Sequence, residues 1–84
     1  MSKIEKLIER LKSKPKDFTY DEMKTVLNYF GYYESNKGKT SGSSVSFINE
    51  KNDKFDFHKP HPNKIIKQYL IKKIINFFEE RGLL

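Results

Sequence analysis

An α+β fold, a three-stranded antiparallel sheet covered on one face by helices, is predicted by three features of this sequence. Apolar residues recur at helical spacing at both ends of the chain. They alternate with polar residues in the middle, and glycine or proline stands where one period gives way to the other. A sheet with one apolar face has to bury it, and amphipathic helices before and after the strands supply the cover. At 84 residues the length suits one domain, near the size at which a single core becomes marginal. The expected order is α-α-β-β-β-α across residues 1–84, with residues 1–14 an additional N-terminal helix on a core spanning 19–84.

Ile4, Leu7, Ile8 and Leu11 fall at i, i+3, i+4 and i+7, one face of a first helix that Pro15 and its lysine neighbours stop. Thr19-Tyr20-Asp21-Glu22 fits a capping box opening a second helix. Its stripe is Met23, Val26, Leu27 and Phe30, and Gly31 ends it. Tyr32 to Ser35 reads as a short strand and Lys37 to Gly42 as a loop. Ser43 to Ile48 and Lys54 to His58 read as two strands joined by Asn49-Glu50-Lys51-Asn52-Asp53. Pro60 and Pro62 break that run. From Asn63 the helical period returns, with Ile66, Leu70, Ile74, Phe77 and Phe78 on one broad face and Gly82 at the end.

The turn centred on Lys51 fixes a register in which Phe47 faces Phe55, Val45 faces Phe57, Ser46 faces Asp56 and Ser44 faces His58. Because side chains alternate, Val45, Phe47, Phe55 and Phe57 then share the buried face, while Ser44, Ser46, Asp56 and His58 share the other. A slip of one residue would bury the polar set.

Composition removes several classes of function. Without cysteine there is no disulfide, thiolate metal site or cysteine nucleophile. No apolar run approaches the roughly 18 residues of a membrane span, and the first residues lack the apolar core of a secretion signal, so the cytoplasm is the expected location. A net charge of +6 favours a polyanionic partner, nucleic acid before membrane, although a merely solvated lysine-rich surface has the same composition.

Gly38-Lys39-Thr40 has the look of a phosphate loop, but six residues separate Gly31 from Gly38 where that loop needs four, and a strand follows instead of a helix. His58 and His61 stand three apart across a proline with Asp56 the nearby acid, too few ligands for zinc. Acid–base chemistry suits His58 better, since imidazole titrates near neutrality and the register places it on the exposed face opposite Ser44. The plainer alternative is a histidine that only ends a strand. Lys37, Lys39, Lys59, Lys64 and Lys67 could form one basic edge for phosphate, the last two a turn apart on the final helix.

The segment "SGSSVSF", a short hairpin and then "HKPHPNKIIKQYLIKKIINFFEERGLL" resemble the HicA family of bacterial toxins over roughly residues 19 to 84. The resemblance implies a double-stranded-RNA-binding-like fold and a small basic ribonuclease acting on messenger RNA. It implies a HicB-type antitoxin partner and no cofactor. Gly42-Ser43-Ser44 falls on the Gly-Ser-His of that family, so Ser44 stands at the position of the catalytic histidine. Pro60-His61 falls on its later histidine segment, Lys67 on the lysine before the last apolar run, and Gly82 on the terminal glycine. A serine hydroxyl cannot take a proton from a ribose 2′-hydroxyl near neutral pH. The expectation is therefore that His58, across from Ser44, supplies the base, with His61 next in line. A non-catalytic RNA-binding module, or a protein adaptor using the first helix, are the alternatives.

Overall fold

The computed structural model describes residues 2–35, 44–58 and 65–84. They form helices α1 (Lys3–Lys12) and α2 (Tyr20–Tyr29), strands β1 (Tyr33–Ser35), β2 (Ser44–Ile48) and β3 (Lys54–His58), and helix α3 (Gln68–Glu80). The α-α-β-β-β-α order is the expected one.

Both early helices are started by local sequence. The Thr19 Oγ1 accepts the Glu22 N–H at 3.1 Å while Glu22 Oε1 accepts the Thr19 N–H at 2.9 Å. The same reciprocal box opens α1 between Ser2 and Glu5, at 3.3 and 2.9 Å. Each box satisfies donors that the first helical turn leaves unpaired. α2 stops as expected at Gly31, whose φ of +91° suits a residue without a Cβ. The Gly31 and Tyr32 amides fold back on Asn28 and Leu27 carbonyls at 3.0 and 2.9 Å, closing the end as a Schellman motif.

α1 lies against α2 and α3. Leu11 is fully buried in the common core, and Arg10 ties the two early helices together. Its guanidinium grips both Glu22 carboxylate oxygens at 2.8 Å and Asp17 Oδ1 at 2.6 Å, and lies over the Phe18 ring. The early helix thus packs on the body of the protein.

The sheet order is β1-β2-β3, antiparallel throughout. The hairpin register is the expected one, from Ile48 opposite Lys54 to Ser44 opposite His58. Asn49 shapes the turn: its Oδ1 accepts the Lys51 and Asp53 amides at 3.0 and 2.8 Å, with Asn52 in the left-handed region at φ +65°. Val45, Phe47, Phe55 and Phe57 are buried under Ile71, Ile74, Phe77 and Phe78 of α3 and Met23, Val26 and Leu27 of α2.

The start of the last helix differs from expectation. α3 begins at Gln68, not Asn63, and Lys67 is its N-cap in extended geometry. Ile65 pairs instead as an isolated bridge with Thr19, and the Ile66 amide donates to the Phe18 carbonyl at 2.7 Å. Ile66 is buried, but from an extended segment. Placing Ile66 and Phe18 side by side in the core satisfies backbone groups that would otherwise be buried without partners. A 3.6-residue pattern cannot register this, because it counts apolar positions and not the strand-like bridge that delivers one of them.

Candidate functional site

The polar face of the hairpin is built by alternation. Ser46, Asp56 and His58 project away from the core, and Ser44 is the Cα partner of His58. Ser46 Oγ donates to Asp56 Oδ1 at 2.5 Å, and Lys54 Nζ lies 3.8 Å from Asp56 Oδ2. Asp56 is thereby held by its row and column neighbours. His58, at the last position of β3, is exposed.

Two tyrosine hydroxyls are held protonated well past neutrality by their surroundings. Burial, reinforced by Glu34, which accepts from the Tyr20 hydroxyl, pushes Tyr20 up to about 12. Burial and then the hydrogen bond to Asp53 push Tyr32 up to about 12 as well.

His58 stands on the rim of a cleft of about 260 Å³ lined by Asp56, Phe57, His58, Tyr69, Leu70 and Lys73. Phe57 and Leu70 are buried and form its floor. Tyr69 and Lys73, one turn apart on α3, form the wall opposite β3. A wider hollow of about 640 Å³, lined by Phe30, Gly31, Tyr33, Ile48, Asn49, Glu50 and Lys51, lies at the turn end of the sheet and holds no histidine.

Of the residues expected to form the site, the structure brings Ser44 and His58 together. Lys67 is exposed and lies just before α3 instead of within it, which corrects the reading of Lys64 and Lys67 as one helical turn. His61, Lys37, Lys39, Lys59 and Lys64 lie outside the described residues. Sequence reasoning missed Tyr69 and Lys73. The signal for Tyr69 was available: a large aromatic off the apolar stripe of its helix, 63% exposed in the structure.

α1 and α2 carry acidic residues in their first turn together with a capping side chain. α3 has neither. Its uncapped first-turn amides leave the partial positive charge of the helix start unneutralised by any side chain of its own. Among the described residues, His58, Lys67 and Lys73 form no ion pair. Among them, too, no helix is long and apolar enough to cross a membrane.

Comparison with curated proteins and with solved structures gives no match. Residues 20–78 match the family described as the HicA toxin of bacterial toxin–antitoxin systems, a span running from the first residue of α2 nearly to the end of α3 and leaving α1 outside. α2, the three-stranded sheet and all but the last two residues of α3 fall within that match, and the chain belongs to the HicA toxin family.

Proposed function

We propose that this toxin is an endoribonuclease that cleaves messenger RNA by histidine acid–base chemistry, and that its action arrests growth until a HicB-type antitoxin covers the histidine-bearing face. The carrying observation is the Cα pairing of Ser44 with His58, itself exposed, in a HicA-family chain. His58 takes the proton of a ribose 2′-hydroxyl. That oxygen attacks the adjacent phosphorus, the bond from phosphorus to the 5′ oxygen breaks, and the departing oxygen gains a proton. The products are a 2′,3′-cyclic phosphate and a free 5′-hydroxyl, and the scheme requires no metal ion or cofactor. His61 is the proposed second acid–base group, and Ser44 a hydrogen-bond partner for His58 or for phosphate. Lys37, Lys39, Lys59, Lys64 and Lys67 would hold phosphates and oppose the charge that develops on the transferring group.

Replacing His58 with Ala should lower RNA cleavage by about 10²–10⁴-fold, the usual contribution of a positioned general base, and should leave the unfolding midpoint in place. Undiminished cleavage by a folded His58→Ala protein would remove His58 from the mechanism and point to His61.

Ser44 favours a second reading. If the hydroxyl at that position marks a lost base, the chain is an RNA-binding module without nuclease activity. Incubating purified protein with RNA in the presence of a chelator separates the two. Surviving cleavage supports the enzyme, and intact RNA retained with a steep salt dependence supports the module. Ser44→His then tells whether activity returns when imidazole stands at that position.

A further inference from the structure

We infer that the cleft between β3 and the first turns of α3 is a nucleotide subsite, in which the Tyr69 ring stacks on one unpaired base and Lys73 meets the adjoining phosphate. The inference rests on the ribonuclease reading, because His58 forms the β3 rim of the same cleft.

The construction of the cleft carries the argument. Its floor, Phe57 and Leu70, is apolar and belongs to the core, so it does not move aside. Its α3 wall is an aromatic ring and a cation spaced i, i+4, which puts the two side chains next to each other on the helix surface. Tyr69 is the most exposed large apolar side chain among the described residues, and none of their ring contacts involves it. An exposed ring on a rigid helix loses little conformational freedom when a base stacks on it. The negative charge in the cleft, Asp56, is already shared with Ser46 and Lys54, which reduces its repulsion of phosphate. At about 260 Å³ the space falls below the roughly 300–1,000 Å³ of pockets that enclose drug-sized ligands. An unpaired base has a face free to stack on Tyr69, whereas a base paired and stacked within a duplex does not. The occupant is therefore single-stranded RNA, held with the next phosphate toward His58.

A 2′-O-methyl RNA 8-mer with a fluorescent end label tests this, since without a 2′-hydroxyl it binds without being cleaved. With the full-length protein, Tyr69→Ala should weaken binding about 10-fold. Tyr69→Phe should bind within about 2-fold of wild type, because stacking uses the ring and not the hydroxyl. Lys73→Gln should lower the slope of log affinity against log salt by about 0.7. A wild-type protein that binds the 8-mer and a Tyr69→Ala variant that binds it equally well would overturn the subsite while leaving the ribonuclease reading intact. A wild-type protein that neither binds nor cleaves RNA would overturn both. Loss of antitoxin binding by Tyr69→Ala with RNA binding unchanged would assign this wall to a protein interface and likewise overturn the proposal.

Discussion

At the Lys54 end of β3, Asp53 accepts hydrogen bonds from the Tyr32 hydroxyl and from Nε and Nη2 of Arg81, the last at 2.9 Å. The same guanidinium lies 3.6 Å from the Phe77 ring centroid and donates to the Phe77 carbonyl at 2.9 Å. At the His58 end of the strand, the facing residues of α3 are Tyr69 and Lys73, and a cleft separates the two elements. One pair of elements thus meets in two ways. Charges and rings are mutually satisfied where the hairpin turn joins the end of α3, and unspent where β3 ends beside the start of α3. The first arrangement anchors the hairpin turn to the end of α3. On the proposed reading, stability lies at one end of this contact and chemistry at the other.

The largest effect should come from the closed end. Phe77→Ala removes a ring that touches Phe55, Tyr32 and Phe78, and should cost about 3–5 kcal/mol in denaturant unfolding. If it costs no more than the exposed Tyr69→Ala, the division between the ends is wrong.

Asp53→Asn should give a smaller fall in the unfolding midpoint and should also change its pH dependence. The Arg81 hydrogen bond, and after it that of Tyr32, hold the Asp53 carboxyl down at about 2 from an ordinary 3.8. Its contribution is therefore complete above about pH 4 and is lost as pH falls through about 2. Thermal unfolding across that window should show an acid loss in the wild type that the Asn variant lacks in part. Identical pH profiles would mean that the carboxylate is not a stabilising centre.

Tyr32→Phe keeps the ring and deletes one donor to Asp53, and should cost about 0.5–1.5 kcal/mol. Smallest of all, Tyr69→Ala at the open end should shift stability by no more than about 0.5 kcal/mol, as for an exposed side chain. A large loss there would show that the open end is structural after all.

Much of this was legible from local chemistry. The capping box at Thr19 and Glu22 and the glycine stop at Gly31 are short-range devices, complete within a few residues, and both form as read. The hairpin register was legible too, because a fixed turn and a two-residue period leave one alignment that buries Val45, Phe47, Phe55 and Phe57 together. The start of α3 was not. No side chain caps it, so its boundary is set by Ile65 and Ile66 pairing with Phe18 and Thr19, far away in the chain. The cleft was hidden for the same reason: Asp56 and Tyr69 are neighbours only after β3 and α3 have packed.

The order of elements, the strand pairing and the opposition of His58 to Ser44 were written in the sequence by periodicity and turn chemistry, which act between near neighbours. Where α3 starts, which residues lock the turn to the helix end, and that Tyr69 and Lys73 stand across from His58 were decided by the tertiary structure. Those relations depend on side chains brought together by burial of a shared core, and no linear pattern encodes a meeting between segments distant along the chain.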